Sequence, residues 1–277
     1  MTIADRLREA AAELAETSDT PRLDAELLMA HALGVSRSEL LLRHMRDAAP
    51  AAFAGLLDRR KTLEPIAYIL GRQEFFGLDF RVGPAVLIPR ADSEVMVETA
   101  LACRPDAQTV LDCGTGSGAL LLAVLAMLPQ ARGLGIDRSA AALAVAADNA
   151  ARLGLGDRAR MVLADWDQPC WSHALGGPFD LVLANPPYVE DAADLAPSVS
   201  AHEPAGALFA GPEGLDDYRV LIPQLPALLT PIGVALIEIG ATQAEAVSAI
   251  AQAAGFAAAL HHDLAGRPRV LALTRHQ

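Results

Sequence analysis

The chain has 277 residues, of which 52% are hydrophobic and 20% charged, and its formal net charge is −12. This length fits one large domain plus a small one, and the composition is that of a globular protein. No apolar run reaches the ~18 residues of a membrane span, and the N-terminus lacks the basic start and apolar stretch of a signal peptide. We therefore expect a cytoplasmic protein without membrane contact.

The acidic charge is concentrated in the C-terminal part of the chain. Residues 1–70 carry 9 basic and 11 acidic side chains, whereas the remainder carries 13 basic and 23 acidic ones. Enzymes that act on nucleic acids need a basic surface to neutralise phosphates. The charge pattern therefore favours a protein or small-molecule partner, and we expect no direct nucleic-acid binding.

Cysteine and histidine spacing gives no sign of a metal site. Cys103, Cys113 and Cys170 are scattered and lack Cys-x-x-Cys spacing, and the 7 histidines show no ligand pattern. An odd, dispersed set of cysteines is typical of reduced thiols rather than of a disulfide framework or a zinc site. We predict no metal, and we expect each cysteine to be a small buried side chain.

The first 72 residues are predicted to form a helical domain, followed by a hairpin linker at 73–90. Apolar residues recur at helical spacing, and proline and glycine mark helix starts and ends. Aromatic and β-branched residues on both sides of Gly77 indicate a hairpin. The predicted helices in this part are 3–16, 20–34, 36–44 and 50–63.

Residues 91–277 are predicted to form an α/β domain. Strands are predicted at 109–113, 132–136, 160–164, 179–184, 233–239, 256–262 and 269–273, and helices at 119–128, 139–153, 215–229 and 243–254. Alternation of this kind indicates a doubly wound, mostly parallel seven-stranded sheet with helices on both faces. Because no helix separates the last two strands, we expect them to pair antiparallel.

Asn185-Pro186-Pro187-Tyr188 is the most informative motif in the chain. It follows an apolar strand, and the prolines stop that strand because they lack a backbone N–H. The loop then lies at the carboxyl end of a strand, where open α/β sheets hold ligands. The Asn185 side-chain oxygen and the Pro186 carbonyl offer two acceptors beside the Tyr188 ring, which suits a planar –NH₂ group. The plain structural alternative is a Pro-Pro turn that merely ends a strand.

A glycine loop follows the first strand of the α/β domain, with the sequence Asp112-Cys113-Gly114-Thr115-Gly116-Ser117-Gly118. Glycine lets the backbone approach a ligand closely. The spacing differs from the Gly-x-Gly-x-x-Gly of dinucleotide folds. Asp112 would repel a pyrophosphate but would attract an ammonium or a sulfonium.

The next two strands also end in residues suited to a nucleoside. Asp137 lies where an acidic side chain takes ribose hydroxyls. Asp165 is available to an adenine amino group, and Trp166 offers a flat apolar wall. Together with the glycine loop, these residues predict a pocket for a cationic adenosine, S-adenosylmethionine.

Several motifs together resemble those of class I S-adenosylmethionine-dependent methyltransferases and, within them, the bacterial glutamine methyltransferases that modify peptide-chain release factors. The resemblance covers nearly the whole length. Besides the glycine loop and Asn185 to Tyr188, it is carried by Leu23-Asp24-Ala25-Glu26-Leu27-Leu28, residues 65–71, Phe75-Phe76-Gly77, Leu87-Ile88-Pro89-Arg90, Glu203-Pro204, Gly214-Leu215-Asp216 and Ile237-Glu238-Ile239-Gly240. Cys113 and His202 depart from the usual leucine and tyrosine of the family.

The resemblance implies roles for specific residues. Cofactor contacts are implied for Gly114, Thr115, Gly116, Ser117, Gly118, Asp137, Trp166 and Asn185. Substrate contacts are implied for Asn185, Pro186, Pro187 and Tyr188, of which Asn185, Pro186 and Tyr188 are the predicted catalytic residues. The substrate would be the glutamine of the Gly-Gly-Gln motif of release factors. The N-terminal helices would dock that factor or, in the plain structural alternative, serve only as a stabilising cap. Arg90 would either line the acceptor channel or pair with Asp92 or Glu94.

Three alternatives remain open from the sequence. A sister family methylates a glutamine of a ribosomal protein. The Asn-Pro-Pro-Tyr element also occurs in methyltransferases of DNA and RNA amino groups, which flip a base into their pocket. A non-catalytic adenosyl-binding module is the third, although it would not need a receptor for an amide.

Overall fold

The structure is a computed structural model that describes residues 1–275, so the last two residues of the predicted 91–277 domain lie outside the described part. The chain divides into two compact units. The first contains Met1–Arg72 and Leu195–His202, and the second contains Gln73–Asp194 and Glu203–Gln277. Within residues 1–275, no helix is both long and apolar enough to cross a membrane.

The helices and strands are numbered here in chain order. The helices are α1 (Ile3–Glu13), α2 (Pro21–Leu33), α3 (Arg37–Glu39), α4 (Ala52–Lys61), α5 (Ile66–Leu70), α6 (Glu94–Cys103), α7 (Ala119–Met127), α8 (Ala140–Arg152), α9 (Pro197–Ser200), α10 (Asp216–Leu221), α11 (Leu225–Leu228) and α12 (Ala244–Ala253). The strands are β1 (Arg72–Phe75), β2 (Leu78–Arg81), β3 (Thr109–Cys113), β4 (Arg132–Asp137), β5 (Ala159–Leu163), β6 (Phe179–Ala184), β7 (Leu229–Glu238), β8 (Phe256–His262) and β9 (Pro268–Arg275).

The first unit is a small helical domain with its own apolar core. Its helices begin and end at the residues that local chemistry favours: the Thr2 hydroxyl accepts from the Asp5 N–H at the start of α1, and Gly34 ends α2 with φ of 69°. The buried carboxylate of Asp24 accepts hydrogen bonds from Ser18, Thr20 and Arg60. The Asp24 side chain therefore connects the loop before α2, through Ser18 and Thr20, to the end of α4, through Arg60. The core consists mainly of Ile3, Leu7, Ala10, Leu14, Ala25, Leu28, Met29, Leu40, Phe53 and Leu57.

The second unit contains the predicted seven-stranded sheet, with strand order β5-β4-β3-β6-β7-β9-β8. The pairs from β5 to β7 are parallel, and β9 is antiparallel to both β7 and β8. Both faces are buried: Val182 and Ala184 belong to one core cluster, and Leu181 and Leu183 to the other. A strand buried on both faces needs apolar residues at every position, which explains the continuous apolar run of β6.

The chain reverses its direction of winding between β3 and β6. From β3 it proceeds outward through β4 and β5, and it then returns to place β6 on the other side of β3. Ligands of open α/β sheets bind at the carboxyl ends of strands at such a switch point. In this chain the glycine loop follows β3 and Asn185 follows β6, so the fold brings both motifs to that edge.

Asn149 links the β1–β2 hairpin to the glycine loop through hydrogen bonds. It is fully buried on α8. Its side chain accepts from the Arg81 N–H at 2.7 Å and donates to the carbonyls of Arg81 and Ser117 at 3.0 and 2.9 Å. One amide therefore satisfies three backbone groups, on β2 and in the loop after β3.

Several predicted elements differ from the structure. The predicted helix 36–44 continues from α3 as a π-helical turn over Leu40–His44. The predicted helix 215–229 is broken into α10, a 3-10 turn over Ile222–Gln224 and α11, because Pro223 and Pro226 lack the N–H that a continuous helix needs. Helices α5 and α6 were not predicted. The segment Leu195–His202 belongs to the helical unit although it falls within the predicted 91–277 domain.

The cysteine prediction is partly wrong. Cys113 is buried at the end of β3, but Cys103 and Cys170 are exposed. Among the described residues, no cluster of three or more histidine, cysteine, aspartate or glutamate side chains is arranged to hold a metal ion.

We expect Asn149→Ala to lower the free energy of unfolding of the second unit by roughly 3 kcal/mol, because each of three backbone groups would lose a partner at a cost of about 1 kcal/mol or more. Urea unfolding followed by tryptophan fluorescence measures this, since both tryptophans, Trp166 and Trp171, lie in this unit. The control is Asp148→Ala on the same helix, whose exposed pair with Arg81 should contribute little. Equal losses in the two variants would contradict the role of Asn149.

Candidate active site

A cavity of about 210 Å³ opens at the carboxyl edge of the sheet. One ordered water needs only roughly 10–15 Å³, so this cavity is large enough for a small molecule. Its walls are formed by the glycine loop, by the ends of β4, β5 and β6, and by two loop segments. The lining residues are Phe75, Ala85 to Arg90, Ser93, Gly114 to Ser117, Ala119, Leu120, Asp137 to Ser139, Ala142, Ala164 to Trp166, Asn185, Pro187, Pro204, Gly206 and Ala207.

The glycine loop lies against β4 and α7. The N–H groups of Gly114 and Thr115 both donate to the Ile136 carbonyl, at 2.9 and 2.8 Å. A Cβ atom on Gly114 would lie 3.2 Å from the Trp166 ring, and one on Gly118 would lie 3.0 Å from a Leu122 methyl. Both glycines also have positive φ, so a larger residue would be strained there as well as crowded. Glycine is therefore favoured at both positions of this loop.

Asp112 is buried below the glycine loop rather than in the cavity wall. It is 1% exposed, its Oδ2 accepts from the Thr115 hydroxyl at 2.7 Å, and its Oδ1 has no hydrogen-bond partner. Burial, together with the nearby charge of Asp137, raises the pKa of Asp112 to about 7, and the bond from Thr115 opposes this rise. A buried carboxylate oxygen without a partner is a place where a cation would be attracted.

Asp137, Asp165 and Trp166 all line the cavity. Asp137 accepts from the N–H groups of Gly116 and Ser139 at 3.0 and 2.8 Å, so its carboxylate is fixed between the glycine loop and the start of α8. Trp166 donates from its ring N–H to Asp217 at 3.1 Å. Three of the predicted cofactor residues therefore meet at one cavity, although they come from the ends of two different strands.

The Asn-Pro-Pro-Tyr loop begins immediately after β6. Asn185 and Pro187 line the cavity, whereas Pro186 and Tyr188 are outside its lining. Burial raises the pKa of the half-buried Tyr188 to about 12, which keeps its hydroxyl protonated. Gln243 donates to the carbonyls of Tyr188 and Gly214, both at 3.1 Å. The loop is therefore fixed at its start by β6 and at Tyr188 by Gln243.

A strap of residues 203–207 covers part of the cavity. Glu203 accepts from the Ile88 N–H at 3.1 Å and also pairs with Arg90. At the other end of the strap, Arg138 donates to the Gly206 carbonyl. Arg90 lines the cavity, and its role in an acceptor channel stays a prediction.

The other prediction, a pair between Arg90 and Asp92 or Glu94, is wrong. Asp92 pairs with Arg267 and Arg269 instead. Glu94 accepts from the Phe76 N–H at 2.9 Å.

The sequence analysis did not predict some of the residues that form the site. Arg138 and Ser139 follow Asp137 directly, so their position after a strand end was a usable signal. Asp217 and Gln243 lie far along the chain, and no local pattern predicts that they hold Trp166 and the Asn185 loop. The chain fold alone brings them there.

The residues present fit a cofactor of the type predicted. The glycine loop provides close backbone approach, Asp137 provides carboxylate oxygens, and Trp166 provides a flat apolar surface. The partnerless Oδ1 of Asp112 belongs to a carboxyl whose ionised form would suit a positively charged ligand. These features favour a cationic nucleoside over an anionic one.

Comparison with known proteins agrees with this geometry. Residues 5–71 match the family described as the PrmC N-terminal domain, and residues 105–255 match the family described as a methyltransferase domain. A methyltransferase from Pyrococcus furiosus superposes with a TM-score of 0.54 at 15% identity, covering 73% of this chain and 91% of that one. The fold is thus that of a class I methyltransferase, a class that uses S-adenosylmethionine.

Relatives with high identity define the family within this class. The release factor glutamine methyltransferase of Moorella thermoacetica is 44% identical, over 92% of this chain and 91% of its own length. That of Cereibacter sphaeroides is 42% identical, over 98% of both chains. The chain belongs to the release factor glutamine methyltransferase family. The predicted fold class and family are therefore confirmed.

Asp112→Asn tests whether the buried carboxyl responds to the cofactor. In the folded protein the group stays protonated up to about pH 7, whereas in the unfolded chain it ionises near pH 4. Wild-type stability therefore falls as the pH rises between these values. Without cofactor, we expect the variant to have a higher Tm than the wild type at pH 8 and an equal Tm below about pH 3, where the carboxyl is protonated in both the folded and the unfolded protein.

Added S-adenosylmethionine should raise the Tm of the wild type more than that of Asp112→Asn at pH 8, because a positive ligand favours the ionised carboxylate. Thermal unfolding with and without ligand measures both effects. An equal ligand-induced shift in the two proteins would remove Asp112 from the cofactor site.

Proposed function

We propose that this protein transfers a methyl group from S-adenosylmethionine to the side-chain amide nitrogen of the glutamine in the Gly-Gly-Gln motif of peptide-chain release factors. The observation that supports this most is the position of Asn185. It follows β6 and lines the same cavity as the glycine loop that follows β3. The names of the relatives supply the substrate class.

An amide nitrogen is a weak nucleophile because its lone pair is delocalised into the carbonyl group. S-adenosylmethionine, when bound, supplies a methyl group on a positively charged sulfur. The task of the protein is to hold the amide in one orientation, which can contribute up to roughly 7–11 kcal/mol in ideal intramolecular cases. In our proposal, Asn185 Oδ1 and the Pro186 carbonyl each accept one N–H of the glutamine amide.

These acceptors also stabilise the positive charge that develops on the nitrogen. A fixed hydrogen-bonding group aimed at developing charge contributes about 3 kcal/mol in measured cases of the opposite sign. Pro187 stiffens the loop, and the Tyr188 ring would flank the flat amide and exclude water. The methylated nitrogen is acidic enough to lose its proton to solvent as the product leaves the pocket, so no general base is required.

The cofactor contacts in this proposal come from Gly114 to Gly118, Asp137, Asp165, Trp166 and Asn185, with Asp112 below the loop. The proposed docking surface for the release factor is the helical unit, which matches a domain family found in enzymes of this type. A cytoplasmic location and the absence of direct nucleic-acid binding belong to the same proposal.

We expect Asn185→Ala to lower turnover about 100-fold or more, equivalent to about 2.7 kcal/mol of lost transition-state stabilisation. The affinity for S-adenosylmethionine should weaken much less, because most of its contacts lie elsewhere. Methyl transfer to a purified release factor and calorimetric titration of the cofactor measure the two quantities. Glu190→Ala, an exposed change just beyond the loop, is the control. Near-normal turnover of the Asn185 variant would defeat this assignment.

The acceptor is tested by offering labelled S-adenosylmethionine with a release factor, the ribosomal protein modified by the sister family, total RNA or DNA. We expect label in the release factor alone, and none when its Gly-Gly-Gln glutamine is replaced by asparagine, because the shorter side chain cannot bring its amide to Asn185. Label in the ribosomal protein or in nucleic acid, with none in the release factor, would contradict the proposed substrate.

A further inference from the structure

Glu238 is a buried carboxyl on the strand next to Asn185, and the mechanism above does not use it. It ends β7 and is 1% exposed, and its Oε2 has no hydrogen-bond partner. An unpartnered carboxylate oxygen in a protein interior is costly, so its retention in a core needs a reason.

The sheet register places this carboxyl beside Asn185. Ala184 pairs with Ile237 in the parallel β6–β7 ladder, so Asn185 and Glu238 are each one residue beyond that pair. Leu183 and Leu236 belong to the same core cluster, together with Met96 on α6. Side chains alternate between the faces of a sheet. The side chains of Asn185 and Glu238 therefore point toward the face on which α6 packs.

Charged and titratable groups from four segments surround the Glu238 carboxyl. Arg269 on β9 and Asp92 before α6 act on it electrostatically, and the hydrogen-bonding side chains of Ser93 and Asn185 also interact with it. The charge of Glu238 in turn acts on Tyr188 and Tyr218. Burial raises the pKa of Glu238 to about 7, against the opposing effects of Ser93, Arg269 and Asn185, so the group is ionised at pH 8.

We propose that Glu238 is a positioning residue that fixes the side-chain amide of Asn185 with its oxygen toward the cavity. An asparagine amide has a donor end and an acceptor end, whereas an ionised carboxylate only accepts. Glu238 therefore binds the Nδ2 end of Asn185 and leaves Oδ1 for the substrate. Glu238 is absent from the cavity lining, so it acts through Asn185 rather than on the substrate. This inference rests on the proposed function of Asn185.

Two substitutions separate the acceptor role of Glu238 from a purely structural one. Glu238→Leu removes every acceptor, and Glu238→Gln keeps one acceptor oxygen without charge. Leucine is close to glutamate in volume, and Arg269 would keep its pairs with Asp92 and Asp263, so Glu238→Leu should remain folded. Asp180→Asn is the control. Asp180 lies at the start of β6, where it accepts from Thr109 and Thr230, whereas Asn185 follows the other end of this strand.

The first measurement is the kinetics of methyl transfer to a purified release factor at pH 8. We expect kcat of Glu238→Leu to fall about 10–100-fold, by analogy with the loss of a residue that orients a metal ligand. KM for the release factor should stay within about threefold of the wild type. Glu238→Gln should recover kcat to within about fivefold of the wild type, and Asp180→Asn should keep its kcat. A kcat within about twofold of the wild type in Glu238→Leu, or no recovery in Glu238→Gln, would overturn the proposal.

The second measurement does not depend on activity. In ¹⁵N-labelled protein, the side-chain NH₂ signal of Asn185, assigned by its loss in Asn185→Asp, should exchange slowly in the wild type and faster in Glu238→Leu. Unchanged exchange would overturn the positioning role. If the wild type methylates no release factor while this difference in exchange is present, the proposed function fails and the positioning of Asn185 by Glu238 stands.

Discussion

The parallel pairing of β3 with β6 is the constraint on which the site depends. It joins Cys113 to Ala184, so the loops that follow these two strands start side by side at one edge of the sheet. One loop carries the glycines, and the other carries Asn185. Two loops far apart in sequence thus share a cavity because the strands before them are neighbours and because the chain winds in opposite directions from this pair.

The same edge of the sheet contains two buried carboxyl groups with unusual titration. Asp112 is on β3 and Glu238 on β7, and burial raises the pKa of each to about 7. Each has one oxygen without a partner. In the absence of ligand, ionising such groups costs free energy, because a desolvated charge lacks compensation. A positive ligand in the cavity would relieve this cost at Asp112, whereas at Glu238 the compensation would come from the Asn185 amide and Arg269.

The sequence predicts the regular parts of this fold well and the irregular parts poorly. Strands such as β3 and β6 were predicted with their observed bounds, because a continuous apolar run between turn residues has few other interpretations. Helix α6 was missed because it follows a proline-rich stretch and its first turn is a 3-10 turn over Ala91–Ser93. The break between α10 and α11 was missed because the apolar residues of 215–229 recur at helical spacing although Pro223 and Pro226 interrupt the helix.

The residues of the site also divide into those that the sequence predicts and those that it does not. Loops that directly follow strands are predictable, and the predicted cofactor residues Asp137, Asp165 and Trp166 do meet at one cavity. Long-range partners are not predictable from one sequence, because their positions depend on tertiary packing. Glu203 pairs with Arg90, and Gln243 donates to the Tyr188 carbonyl, because the tertiary fold brings these distant segments together. The prediction that Arg90 pairs with a near neighbour failed for this reason, since Asp92 pairs with Arg267 and Arg269 and Glu94 accepts from the Phe76 N–H.

Some walls of the cavity lie inside the part of the chain that matches the methyltransferase domain family, and others lie outside it. The match to the methyltransferase domain starts at residue 105, and the match to the N-terminal domain ends at residue 71. Between them lie the hairpin and the segment from Ala85 to Arg90, which forms one wall of the cavity together with Phe75 and Ser93. The glycine loop and the strand ends inside the general domain fit a ligand common to many methyltransferases. The Asn185 loop and the strap of residues 203–207 also lie inside the 105–255 match, so the cavity is built from both parts of the chain.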